Sequence, residues 1–157
     1  MPGFAVEYPL MDLQALTRPC WESSNTLVVA FSGGMDSVAL AHALHATMAA
    51  HHTLVLCHIN HGLQSPEITQ QWELLAQQWP ASYGTDRGQV KVDIRHVHVP
   101  LKNSIEAQAR TARYDALGQC VQDHGAQGLL LAHHLRDLSE TFLLQAARGR
   151  GVHGLRS

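Results

Sequence analysis

Short apolar runs of strand character alternate along this chain with longer stretches whose apolar residues recur at helical spacing. The strand-like runs cover 27–31 (LVVAF), 53–59 (TLVLCHI), 91–99 and 128–132 (GLLLA). Each is short, rich in Val, Ile and Leu, and bounded by turn residues. Leu10, Leu13 and Leu16 predict a leading helix over 10–18, stopped by Pro19. Val38, Leu40, Ala41 and Leu44 mark one side of a helix over 36–50. Pro66 suits the first turn of another, which runs to Trp79 before Pro80. Asn103 or Ser104 caps a long helix to Asp123, ended by Gly125, and a last helix covers 137–148. Residues 81–90 form a polar, Gly-containing connection, and the facing of the 91–99 run is ambiguous.

Strands alternating with helices of this length predict an α/β fold, a doubly wound, mostly parallel sheet with helices on both faces. Residues 1–25 read as an extension with a short helix, and 26–157 as one catalytic-type domain. In such sheets ligands bind beyond the carboxyl ends of the strands. Three polar segments follow strands here: Ser32-Gly33-Gly34-Met35-Asp36-Ser37, then His58-Ile59-Asn60-His61-Gly62, then His133-His134. They are expected on one rim.

The first segment carries the most chemistry. A Ser-Gly-Gly turn between strand and helix leaves backbone N–H groups at a helix N-terminus, where the dipole favours an anion. Gly33 and Gly34 free the loop for positive φ and let a phosphate approach the main chain. Ser32 and Ser37 add hydroxyls, and Asp36 a carboxylate suited to Mg²⁺. The loop is neither GxxxxGK[ST] nor GxGxxG, since no Lys falls within it and the chain's lysines are Lys91 and Lys102. On this reading Gly34→Val abolishes polyphosphate binding without unfolding the chain.

Other constellations have two readings each. His58, His61, His133 and His134 line a crevice or are satisfied by backbone; no acid or Cys completes a zinc signature around them. Arg110 and Arg113 share a helix face and either converge on a phosphate or, through Glu106, form an ordinary intrahelical pair. Asp137 and Glu140 complement a helix dipole, or join Asp36 around Mg²⁺ and an incoming amine. Arg148-Gly149-Arg150-Gly151 is a phosphate-gripping turn or a helix C-cap. Trp72 and Trp79, seven apart, read as core.

SGGMDS resembles the SGGxDS loop of the N-type ATP pyrophosphatases, which cleave ATP to AMP and pyrophosphate while adenylating a substrate. Within that superfamily the chain resembles the tRNA(Ile)-lysidine synthases, with another ATP pyrophosphatase of the tRNA thiolase or amidotransferase synthetase type, or a nucleotide-binding module without turnover, as the alternatives. The resemblance also rests on HINHGL from His58, EAQAR from Glu106 with Arg113-Tyr114, His133-His134 through Glu140-Thr141, and Arg148-Gly149 with Gly151. It covers roughly residues 26–154. It implies an adenine nucleotide alpha-hydrolase-like fold with the first and fourth strands adjacent. It implies ATP held by Ala30, Ser32, Gly33, Gly34, Met35, Asp36, Ser37, His58, Asn60, Arg110 and Arg113. Catalytic roles fall to Asp36, Arg113, His133, Asp137 and Glu140, with Mg²⁺ on Asp36 and Asp137. The implied partners are free lysine and the tRNA(Ile) with a CAU anticodon. The family pattern HHxDDQxET reads here with Arg136 in place of an acid and Leu138 in place of a Gln, which bears on turnover and on the metal arrangement.

Composition narrows the picture further. With 157 residues, 45% of them hydrophobic, the chain has room for one α/β domain. A net charge of −2 with 12 His excludes a nucleic-acid binder that works through its own positive field. Family members carry tRNA-binding domains after the catalytic one, so this chain is expected to lack them. Cys20, Cys57 and Cys120 form no CxxC, which argues for reduced thiols and against the iron–sulfur thiolases of the superfamily. No apolar run approaches the ~18 residues of a membrane span, and no secretory signal precedes Arg18, so a cytoplasmic protein is expected. Oligomerisation is open.

Overall fold

The computed structural model describes residues 13–84, 86–100 and 104–132. Its elements run α1 (Leu13–Glu22), β1 (Thr26–Ala30), α2 (Met35–Thr47), β2 (Thr53–Asn60), α3 (Pro66–Gln78), a 3₁₀ turn (Trp79–Ser82), β3 (Gln89–His96), α4 (Ile105–Asp123) and β4 (Gly128–Leu130). The strands form one parallel sheet in the order β3-β2-β1-β4. The expected neighbours β1 and β4 do pair, Leu27 opposite Gly128 and Val29 opposite Leu130.

Strand alternation divides the core between the two faces of the sheet. Leu27, Val29, Leu54 and Leu56 face α1, α2 and α3, where they meet Trp21, Ala41, Leu44 and Ala76. Val28, Ala30, Val55 and Cys57 face α4, where they meet Leu117 and Cys120. A strand buried on both faces must be apolar throughout, which is why β1 and β2 read as continuous runs rather than as alternation. Val90 and Val92 join the first face; Asp93, opposite Cys57 in register, belongs to the other. That resolves the ambiguous facing of β3, which ends at His96 rather than at Val99.

Two expectations need correction. Pro19 does not stop the leading helix; α1 continues through it to Glu22. An interior proline costs about 3 kcal/mol, but the turn beyond it delivers Cys20 and Trp21 into the core. There Trp21 Nε1 donates to Leu44 O at 3.0 Å, and its ring stacks on His52 at 4.5 Å. Thr17 Oγ1 also donates to Ala43 O at 3.2 Å, so α1 is tied to α2 at two levels. Second, Ser104 stands at the N-cap of α4 but makes no side-chain cap bond, because its backbone lies in the left-handed region at φ 58°. The cap of α3 is orthodox: Ser65 Oγ accepts from Ile68 N at 3.4 Å, with Pro66 following. The expected helix over 137–148 and the residues Asn103, His133, His134, Arg136, Asp137, Leu138, Glu140 and 148–151 lie outside the described residues. No described helix is long and apolar enough to cross a membrane.

Candidate nucleotide-binding site

The loop between β1 and α2 owes its shape to one glycine. Gly33 has φ +79°, the left-handed region that side chains with a Cβ rarely occupy. Gly34 is extended instead, at φ −72° and ψ 162°, and serves as the N-cap of α2. Both glycines are expected to free the loop for positive φ; the structure uses that freedom at Gly33 and not at Gly34. A Cβ there would lie 2.5 Å from Trp72 Cζ3, whereas one on Gly34 would meet only Ser32 Oγ at 3.4 Å.

The two serines hold the turn closed. Ser37 is buried and donates to Gly34 O at 2.9 Å; Ser32 Oγ lies 3.1 Å from Ser37 Oγ and accepts from Gly34 N at 3.3 Å. Their hydroxyls are thus spent first on the loop itself. Met35 is 85% exposed at the head of α2, and Asp36 follows in its first turn, where a carboxylate complements the dipole.

Beside this loop, at the carboxyl ends of β1 and β2, is a cavity of about 350 Å³. Ala30, Phe31 and Ser32 line it from the end of β1 and the residues just after it, His58 to Gln64 from β2 and the turn after it, Thr69 and Trp72 from α3, and Arg113 from α4. Phe31 N donates to Cys57 O at 2.8 Å, carrying the ladder to the cavity floor. His58 Nδ1 lies 2.9 Å from Phe31 O; a carbonyl only accepts, so Nδ1 carries a proton and donates it there. Asn60 shapes the following turn: its Oδ1 accepts from Gly62 N at 2.8 Å, and its Nδ2 donates to Glu73 Oε1 at 2.8 Å. Gly62 sits at φ +65°. His61 has a buried Nδ1 with no partner, and its pKa is lowered by burial first, then by the Arg113 charge and by His58. It is neutral near pH 7, a donor or acceptor available to a ligand.

The structure thus brings Ala30, Ser32, His58, Asn60 and Arg113 around one cavity, with Gly33, Gly34, Met35, Asp36 and Ser37 in the adjoining loop. Arg110 is not part of that wall: it is exposed, its guanidinium 5.8 Å from the Tyr114 ring centroid. Arg113, one helical turn further on, faces inward. Sequence reasoning placed Trp72 in the core with Trp79, and that is corrected. Trp79 does pack on the core, with Nε1 donating to Tyr83 Oη at 2.8 Å; Trp72 walls the cavity. The spacing of Thr69, Trp72, Ala76 and Trp79 marks one inward stripe of α3, and only the strand end beneath each residue decides core or site.

A second polar cluster lies apart, between β3 and α4. Asp93, Cys120 and His124 bring three ligand-type atoms within 4.8 Å of one another. The carboxylate is already engaged: Arg95 binds both oxygens at 3.1 and 2.7 Å, His124 Nε2 lies 2.9 Å from Oδ2, and Cys120 donates to Oδ2 at 3.5 Å. Burial raises the Asp93 pKa, but the bonds from Arg95 and His124 outweigh it and hold the group below the usual carboxylate range. Hydrogen bonding to Cys57, then burial, pushes the Cys120 thiol up, so it stays protonated. With its carboxylate saturated by a guanidinium, this cluster is a structural ion-pair network rather than a metal centre.

Comparison with known proteins agrees with the architecture and the loop. The chain is 42% identical over 131 residues to the tRNA(Ile)-lysidine synthase of Bordetella pertussis, covering 82% of this chain and 39% of that one. It is 40% identical over 153 residues to the tRNA(Ile)-lysidine synthase of Edwardsiella ictaluri, covering 92% of this chain and 32% of that one. It therefore spans well under half the length of these relatives. Among solved structures, the U34-tRNA thiolase NcsA from Methanococcus maripaludis superposes with a TM-score of 0.62 at 18% identity, over 80% of this chain and 44% of that one; the likeness is one of fold. The sequence matches the PP-loop domain over residues 9–157, and on that match the chain belongs to the PP-loop, ATP-binding family.

Proposed function

We propose that this chain is the ATP-activating domain of a lysidine-forming ligase. In the reaction, the C2 oxygen of the wobble cytidine in tRNA(Ile) with a CAU anticodon attacks the α-phosphorus of ATP, and pyrophosphate leaves. The ε-amine of free lysine then attacks C2, and AMP departs with the former carbonyl oxygen. Adenylation turns a poor leaving group into a good one, so the domain's work is positioning and charge stabilisation.

The observation that carries this reading is the left-handed Gly33 at the head of α2, beside a cavity whose cation is Arg113. The loop offers backbone N–H groups and a helix dipole to the phosphates. Arg113 supplies positive charge where negative charge develops on the phosphate oxygens during attack. His58 Nε2 and the neutral His61 offer hydrogen bonds to a base. Mg²⁺ takes one or two carboxylates plus substrate phosphates, and Asp36, in the first turn of α2, offers one next to the loop. Asp36 with Asp137 would hold it, and it would supply charge neutralisation. His133, Asp137 and Glu140 complete the catalytic set on the family pattern. The activity is cytoplasmic.

Arg136 and Leu138, where the family has an acid and a Gln, favour a second reading: a nucleotide-binding module with impaired turnover. Incubation with ATP, Mg²⁺, lysine and transcripts of tRNA(Ile) with and without the CAU anticodon separates the two. Pyrophosphate released only with the CAU transcript supports the ligase. ATP binding without release under any combination supports the module, and absence of ATP binding sinks both.

A further inference from the structure

We propose that Trp72 is a positioning residue of the nucleotide site, whose indole braces Gly33 in its left-handed conformation and presents the loop ready-formed to phosphate. The inference rests on the nucleotide reading above and adds a residue outside the loop motif.

Three observations support it. The six-membered ring of Trp72 fills the place a side chain on Gly33 would take: an added Cβ would lie 2.5 and 2.6 Å from Cζ3 and Cε3. The indole therefore packs directly on the glycine that shapes the turn. The same ring lines the cavity next to Ser32, Phe31 and His58. Finally, α3 is anchored from below, because Ala76 is buried at 1% and Trp79 packs against the core. The ring thus stands on a fixed support one and two turns away.

The physical need is entropic. Glycine loses more backbone freedom on ordering than any other residue, and a Ser-Gly-Gly turn without a brace samples many conformations in which its N–H groups diverge. A rigid aromatic wall removes those alternatives before the ligand arrives, which lowers the ordering cost of binding. The serine hydroxyl bonds pin the Ser32–Gly34–Ser37 side of the turn; Gly33 has no side chain of its own to pin, and Trp72 supplies the missing contact.

The test titrates ATP with Mg²⁺ into the full chain and its variants, reading affinity by calorimetry and the signal by tryptophan fluorescence. Trp72→Ala is expected to weaken ATP roughly ten-fold, and Trp72→Phe, which keeps an aromatic wall, less than three-fold. Trp21 and Trp79 are held in the core, so the fluorescence response to ATP should vanish in Trp72→Phe. Gly33→Ala should cost less in the Trp72→Ala background than in the wild type, because the ring that its Cβ would meet is gone. Wild-type affinity in a folded Trp72→Ala or Trp72→Leu, or strict additivity with Gly33→Ala, overturns the proposal. Failure of the wild type to bind ATP overturns the nucleotide reading beneath it.

Discussion

Two polar constellations among the described residues flank a largely apolar sheet, and they differ in how completely their bonds are closed. Around Asp93 the polar groups are engaged with one another: Arg95 bridges Asp93 and Asp123, with Nη2 at 2.7 and 2.8 Å, while His124 and Cys120 both reach Asp93 Oδ2. Around the cavity at the ends of β1 and β2, the books are open. His61 Nδ1 is buried without a partner, Gly33 presents bare backbone, and Arg113 faces the space with a charge. Residue types alone would rank the first cluster as the richer one. Satisfaction ranks them the other way, because a buried polar group without a partner costs free energy unless a ligand supplies one.

Variants that exchange the two behaviours test this contrast. Gly33→Ala should have the largest effect. It forces a Cβ into both a left-handed backbone and the Trp72 ring, and calorimetry should show ATP affinity lost by about a hundred-fold or more, some 2.7 kcal/mol at the least. Gly34→Ala, in extended backbone, should stay within several-fold; the reverse order would misplace the loop's critical glycine. Arg113→Ala should lower tRNA-dependent pyrophosphate release by a factor of about 10² to 10³, in the manner of a lost charge-stabilising donor. Arg110→Ala, on the solvent side of α4, should change it less than three-fold. Equal losses would mean both arginines reach the phosphate.

Asp93→Ala attacks the closed network instead. It should cost about 1–3 kcal/mol in urea unfolding by stranding His124 and leaving Arg95 with Asp123 alone, with ATP affinity unchanged. A change in affinity without a change in stability would show the cluster to be functional. The smallest effect is with pH. His45, His52 and His61 have lowered pKa values, each chiefly through burial. The unfolded chain therefore binds their protons first, near pH 6.5, so stability is full above that value and declines as pH falls through the window below it. Asp93, whose folded pKa is depressed, adds a further loss only below about pH 4. Urea midpoints across pH 2–8 should show that order, and a midpoint rising on acidification through pH 6 would refute it.

Legibility from sequence follows the same division. The β1–loop–α2 unit is local, with strand, glycines and helix start contiguous, so residues 27–37 announce both fold and site. His58 and Asn60 were legible for the same reason, as the end of a strand. Two glycines in a row, however, do not reveal which one turns left-handed; that depends on the path from β1 into the N-cap of α2. Trp72 and Trp79 carry identical periodicity, and only the three-dimensional position of β2's end beneath α3 separates wall from core. Pro19 misled because propensity is local, whereas the burial of Trp21 against α2 is not. The Asp93 network was invisible, since Asp93 and His124 are 31 positions apart and meet only through packing of α4 on the sheet.

The place of β1 in the sheet has a last consequence. Flanked by β2 and β4, with Val28 and Val29 shielded completely from solvent, it belongs to the part of the molecule that opens only when everything opens. Its amides should be the slowest to exchange with deuterated water, while β3, at the margin of the described sheet, frays earlier. The glycine turn after β1 therefore hangs from the most persistent beam in the architecture, and partial unfolding elsewhere leaves its footing intact.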